Sequence, residues 1–262
     1  MEYDMVYADL HVHTTRSDGV LEPDEVPAAA RRSDVSVVAL TDHDRLQPFD
    51  ESAVEREGVR IVHGIELRVE TDAGLRVDLL GYGIEPTAAL EATTRRIQRN
   101  RIERGRAIVE RVEDRLGIDL GVTVEDGFGR PHVARAIDDH PDAAYDYQGA
   151  FEHLIGGDCP CFVPRELPSF DRGRDVLSEA GRIVSLAHPF RYPDPAAALE
   201  LTSALDGVER YYPYGREIDP EPIDRAIERH GLVATGGTDA HGREFGVAGL
   251  SEAAYRGLGL EG

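Results

Sequence analysis

Residues 9–19 read DLHVHTTRSDG, with two histidines two apart at the end of the apolar run Met5 to Leu10. A strand sends alternate side chains to one face, so His11 and His13 project together where the strand stops, as a pair of metal ligands would. The pattern recurs along the chain. TDHD sets Asp42, His43 and Asp44 after Val35 to Leu40, and HGIEL sets Glu66 after Val59 to Val62. AHP sets His188 after the run ending at Ala187, and GGTDAHG sets Asp239 and His241 after the run near Thr235. One such histidine alone is more often a packed or capping residue than a ligand. The argument comes from the set: His11, His13, Asp18, His43, Glu66, His132, His188, Asp239 and His241 offer nitrogen or carboxylate oxygen, with no matching cysteines. Mixed imidazole and carboxylate donors suit Zn, Mn or Fe, and a carboxylate can bridge two ions. His63, His140, His153 and His230 lack such partners and read as structural or surface residues.

A cluster of divalent ions points to hydrolysis. Ions about 3.5 to 4 Å apart lower the pKa of a shared water and stabilise the charge that leaves in an in-line displacement, which phosphate esters need most. The chain has no GxSxG nucleophile motif and, with no lysine anywhere, no GxxxxGK[ST] phosphate loop. Direct attack by metal-bound hydroxide is the mechanism this leaves. Phosphate recognition then falls to arginine, whose planar fork matches phosphate oxygens in pairs. Arg130, before Pro131 and His132, and Arg165 in FVPRE are the candidates, and His188 can bond a phosphate oxygen or protonate the leaving group.

Elements must bring these groups together. Strand candidates are Val6 to Leu10, Val35 to Leu40, Val59 to Glu66, Leu75 to Tyr82, Arg182 to Ala187, Gly207 to Tyr212 and Leu232 to Thr235, with helices near 23–33, 171–180, 196–205 and 220–230. This alternation favours parallel βα units, and polar groups at successive strand ends mark the face where α/β barrels carry active sites. Segment 87–170 breaks the rhythm. It opens with a long helical pattern stopped by Gly117 and reads as a helical insertion within one domain spanning 1–262. Its arginines, from Arg95 to Arg115, form either a solvated face paired with Glu103, Glu110, Glu113 and Asp114 or an edge that meets phosphate.

Composition bounds the partners. The 50 Asp and Glu against 29 Lys and Arg give a formal net charge of -21 over 262 residues. Such acidity argues against broad attraction to double-stranded DNA or anionic membrane and suits a very salty cytoplasm, so we expect a halophilic host. No apolar run approaches a spanning helix, and the start lacks a basic region followed by an apolar stretch, so a cytoplasmic protein is expected. Cys159 and Cys161 read as free thiols, because cysteines so close rarely bridge and two cannot complete a structural zinc site.

Taken in order, DLHVHTTRSDG, LTDHD, GIEL, RPH, AHP and TDAHG resemble the PHP family, named for polymerase and histidinol phosphatase, over most of the chain. The resemblance implies an α/β fold, a distorted (β/α)7 barrel, with two or three divalent ions at its carboxyl face. It implies that His11, His13, Glu66 and Asp239 hold one ion, that Glu66 bridges to another held by His132, and that Asp18, His43 and His241 hold a third. Glu66, Asp239 and His188 would be the catalytic residues, with His188, Arg130 and Arg165 binding substrate. Members like this usually carry histidine where RVDLLGYG has Asp78. Asp78 is then either a harder ligand that favours Mn or a solvent-facing residue beside an empty site. HTTRSDG is closer to the branch acting on nucleoside 3',5'-bisphosphates and on 5' ends of short RNA than to histidinol phosphatases. The expected partner is therefore a small phosphorylated nucleotide or short RNA. Histidinol phosphatase and a non-catalytic metal-binding module are the alternatives, and the oligomeric state stays open.

Overall fold

A computed structural model describes residues 5–125 and 127–261. Its strands are β1 (Ala8–Val12), β2 (Val37–Leu40), β3 (Ala53–Arg56), β4 (Val59–Glu70), β5 (Arg76–Tyr82), β6 (Ile183–Leu186), β7 (Gly207–Tyr211) and β8 (Val233–Gly236). The helices are α1 (Val26–Arg32), α2 (Ala88–Leu116), α3 (Arg130–Asp139), α4 (Tyr147–Ala150), α5 (Phe170–Ala180), α6 (Pro195–Glu200), α7 (Glu221–His230) and α8 (Glu252–Arg256). Two compact units result. One runs to Thr94 and resumes at Leu167, and the other is Arg95–Glu166.

The first unit holds one sheet in the order β1-β2-β4-β5-β6-β7-β8, with β3 paired to β4. Its ends meet: beyond β8, Ala240 donates its N–H to the His11 carbonyl (3.1 Å) and accepts from the His13 N–H (2.9 Å). The chain is thus of the expected α/β class, with a sheet that curls on itself. The uniformly parallel arrangement suggested by alternation is corrected at β5, which runs antiparallel to both β4 and β6. The reason is local. Only Thr71 to Leu75 separates β4 from β5, far too little for the crossover that parallel strands need, and the turn closes with Gly74 at φ +79°. Sequence patterning also ends β4 too early, at Glu66, since its second half continues as Leu67 and Val69 buried against α5.

Short apolar strands buried on both faces need cover on each side. Ala8, Leu10, Val37, Ala39, Leu80 and Tyr82 pack with Leu250, Tyr255 and Leu260 on one side. Val12, Val38, Leu40 and Ile61 pack with α1 residues Val26, Ala29 and Ala30 on the other. The helix starts carry the usual signals. Pro23 opens a 3-10 turn with Asp24 and Glu25 ahead of α1, and Ser169 caps α5 by accepting from the Arg172 N–H.

The second unit has its own core of Ile108, Val112, Val133, Ile137, Leu154 and Cys161. Arginines of α2 pin its return segment: Arg104 donates to the Val163 carbonyl (2.7 Å) and Arg111 to the Phe162 carbonyl (2.5 Å). Both cysteines are free.

Candidate metal centre

All but three of the residues expected at the site come together in the first unit. His11 and His13 leave the end of β1 on one side, as strand alternation requires. The loop carrying Asp18 is tied down by buried Asp42, which accepts from the Thr14 N–H (2.8 Å), the Ser17 hydroxyl (2.7 Å) and the Gln47 amide (3.1 Å). Buried Asp9 performs the same service for the loop after β8, accepting from the Thr238 N–H (2.8 Å) and the Gly246 N–H (2.9 Å). Gly237 lets that loop approach β1 so closely that a Cβ there would lie 2.3 Å from the His11 nitrogen. His188 and Asp239 hold left-handed backbone, with φ of +28° and +54°. Non-glycine residues in that region cost free energy and cluster at functional sites.

The donor atoms converge. His11 Nε2 lies 3.5 Å from Glu66 Oε2 and 3.4 Å from Asp239 Oδ1, and His13 Nε2 lies 3.3 and 3.1 Å from the same two oxygens. His11 Nε2, His13 Nε2 and Glu66 Oε2 are buried without a hydrogen-bond partner. Orphaned polar atoms are costly unless something else satisfies them. A tetrahedral ion with ligand bonds of about 2.1 Å places neighbouring donors roughly 3.4 Å apart, which is the spacing found. The set therefore fits a divalent cation. A second group lies alongside, with His241 Nε2 3.3 Å and His43 Nε2 3.7 Å from the Asp18 carboxylate, and His13 joins it. Glu66 stands between the two groups, since Oε2 is also 2.9 Å from His43 Nδ1, while Oε1 is 3.0 Å from His188 Nε2.

Proton affinities follow this crowding. Burial disfavours the charged form of His43, yet the carboxylates of Glu66, Asp18 and Asp78 together raise the imidazole to about 9. Burial likewise opposes ionisation of Asp239, but His13 and His11 hold it well below the usual carboxylate range. The centre is thus built to keep its carboxylates ionised and to attract positive charge.

Several groups that shape the site were not legible from motifs. Glu209 on β7 is buried; its Oε1 lies 3.0 Å from His11 Nδ1 and its Oε2 accepts the His188 N–H at 2.7 Å. A carboxylate behind a ligating imidazole fixes its tautomer and ring orientation. The far oxygen of Asp239 is held by Arg191 (2.9 Å) and the Tyr212 hydroxyl (2.8 Å). Asp78 is fully buried, which removes the solvent-facing alternative, and Arg68 Nε and Nη2 grip its two oxygens at 2.7 and 2.5 Å. Its backbone N–H donates to the Tyr192 hydroxyl oxygen at 2.8 Å. For Glu209 the sequence holds only a lone acid in GVERYY, and for Arg68 only a cation as far from the hairpin turn as Asp78 is. Together Asp18, His43, Glu66, Arg68, Asp78, His188, Arg191, Tyr192, Asp239 and His241 line a cavity of about 340 Å³.

His132, Arg130 and Arg165 lie in the second unit. His132 is exposed on α3, where Nδ1 accepts from the Gly129 N–H (3.1 Å) and the ring stacks on Phe128. Among the described residues, it belongs to none of the groups able to hold a metal. The Arg130 guanidinium sits over the Phe151 and Phe162 rings and donates to the Ile155 carbonyl.

This arrangement agrees with what the chain is similar to. The PHP domain model matches residues 9–147. A phosphoribosyl 1,2-cyclic phosphate 1,2-diphosphodiesterase of Eggerthella lenta is 32% identical, over 90% of this chain and 94% of that one. A 3',5'-nucleoside bisphosphate phosphatase of Chromobacterium violaceum is 30% identical, over 92% and 91%. Among solved structures, a Bifidobacterium adolescentis protein predicted to be a metal-dependent phosphoesterase superposes with a TM-score of 0.78 at 23% identity, covering 96% of this chain and 94% of that one. The last comparison speaks for the fold, and the first three, with the converging imidazole and carboxylate donors, for the chemistry: the chain belongs to the PHP family and is a metal-dependent phosphoesterase.

Proposed function

We propose that the chain removes a phosphate from small nucleotides that carry a second one, nucleoside 3',5'-bisphosphates foremost. One observation carries this reading. The donor cluster opens into a cavity of about 340 Å³, room for a mononucleotide, whose wall also bears the guanidinium groups of Arg68 and Arg191. Each guanidinium is anchored by a carboxylate, Asp78 or Asp239, and keeps further N–H groups, which suit a second phosphate beyond the metal centre. The Chromobacterium violaceum relative bears the corresponding activity in its name, and a Haemophilus influenzae 5'-3' exoribonuclease is 31% identical over 70% of this chain.

His11, His13, Glu66 and Asp239 would hold one divalent ion, of Mn, Zn or Fe, and Asp18, His43 and His241 another. Such ions supply an acidic water and neutralise phosphate charge. The chain's own groups do the rest. Glu66 sets the spacing between the two donor groups through Oε2, which lies near His11, His13 and His43, while Oε1 faces His188. Glu209 holds His11 with Nε2 toward the donor cluster and pins the His188 backbone, and His188, on the cavity wall, delivers a proton to the leaving oxygen. Arg191 holds Asp239 while presenting charge to the substrate.

A phosphate-release screen with added Mn tests the reading, using nucleoside 3',5'-bisphosphates, 5'-phosphorylated oligonucleotides, ribose 1,2-cyclic phosphates and histidinol phosphate. The bisphosphates should give the highest kcat/KM. Preference for any other substrate by tenfold or more would overturn it.

A further inference from the structure

Asp78 is a buried carboxylate within ligand distance of Glu66 and His43, and the three form one of the groups able to hold a metal. Its oxygens are nevertheless committed. Arg68 faces it directly across the β4–β5 ladder and grips both oxygens with Nε and Nη2, a fork that leaves neither without a cation. Directly opposed positions on antiparallel strands hold their side chains within reach of each other, so the pair is built into the hairpin register. Burial strengthens it, because a carboxylate with no exposure cannot exchange Arg68 for water. The guanidinium is also part of the cavity wall: its side chain is 42% exposed, and it lies beside Glu66, His188 and Arg191.

We infer that Arg68 is a built-in cation that occupies the place of a further divalent ion at the Glu66–His43–Asp78 group and offers its outward N–H groups to a substrate phosphate. A fixed guanidinium supplies positive charge without needing metal, and it binds phosphate by paired hydrogen bonds instead of by a ligand bond. One ion fewer is then bound than the donor groups suggest, and Asp78 acts as a positioning residue for Arg68. The inference rests on the reading of the site as a metal phosphoesterase, but not on the nucleotide substrate.

The test measures Mn bound per chain after equilibrium dialysis, and binding of inorganic phosphate, for the full chain and for Arg68→Gln and Arg68→Lys. Arg68→Gln should bind one ion more than the unaltered chain, because Asp78 is released to join Glu66 and His43, and the extra ion should vanish in Arg68→Gln/Asp78→Asn. Arg68→Lys keeps the charge, so it should hold the original ion count while binding phosphate about tenfold more weakly, having lost the fork. An ion count unchanged in a folded Arg68→Gln overturns the inference. So does phosphate binding that is the same in Arg68→Lys and the unaltered chain, a measurement that stands even where Arg68→Gln does not fold. A chain that meets these expectations yet ignores 3',5'-bisphosphates would refute the proposed substrate and leave this inference standing.

Discussion

Replacing Glu209 with Gln keeps shape and volume but removes the ability to accept hydrogen bonds at both ends. In the native site Oε1 takes the His11 Nδ1 proton at 3.0 Å and Oε2 takes the His188 N–H at 2.7 Å. A glutamine has one oxygen for these two donors. If that oxygen serves the His188 N–H, the amide N–H meets His11 Nδ1 and drives the ring to the tautomer protonated at Nε2, the atom aimed at Glu66 and Asp239. A protonated nitrogen cannot ligate. If the oxygen serves His11 instead, two N–H groups oppose each other at His188, beside backbone already held at φ +28°. Either way the loss falls on metal affinity, and groups of this kind are worth about 10- to 100-fold in it, or roughly 1.4 to 2.7 kcal/mol. Competition with a chromogenic chelator at pH 7.5 measures that affinity directly. Turnover should recover in part at high Mn, because the defect lies in holding the ion. Affinity within twofold of the native value would refute the role given to Glu209.

Three further outcomes follow from the same structure. Glu66→Gln removes an anion from between two donor groups, so metal content and turnover should fall together by at least tenfold, and a variant with native values of both would remove Glu66 from the bridging position. Burial holds His63 neutral and lowers it to about 4, with Nε2 accepting from the Gln47 N–H at 3.0 Å. Its unfolded value is near 6.5, so between those pH values the unfolded chain binds more protons and stability declines as pH falls, by about 3 kcal/mol at most. Urea midpoints of metal-free protein at pH 7.5 and 5 should therefore differ less in His63→Asn than in the native chain, and an equal drop in both would exclude His63 as the cause. With a net charge of -21, self-repulsion should make unfolding in molar KCl occur at higher temperature than in dilute buffer. Greater stability in dilute buffer would sink the halophilic reading.

The donors themselves were legible because each sits where a strand ends, and strand ends carry a local signal. An apolar run exhausts its burial and a polar cluster follows, as Leu40 gives way to Thr41, Asp42 and His43. The direction of a strand carries no such signal. Val77, Leu79 and Leu80 look alike in a parallel or an antiparallel sheet, and only the length of the connection, Thr71 to Leu75, decides it. The hairpin was open to reading from that length, and with it the pairing of Arg68 with Asp78, since the two are equally far from Ala73. The type of residue at 78 bears on what Asp78 can bind, but the register decides what faces it.

Glu209 and Tyr212 lie beyond any local rule. Glu209 is 198 residues from His11, and Tyr212 meets Asp239 only because β7 and β8 run side by side. Nothing within a few residues of GVERYY distinguishes a carboxylate that orients an imidazole from one that faces water. The physical clue is energetic instead: Glu209 follows buried Gly207 and Val208 in β7 and is itself fully buried, and a buried carboxylate requires a donor or a cation. In this fold the open donors are the imidazole of His11 and the N–H of His188, both at the mouth of the curled sheet. A charged residue placed mid-strand in an otherwise buried sheet therefore identifies the support of a site, just as donors after strand ends identify the site.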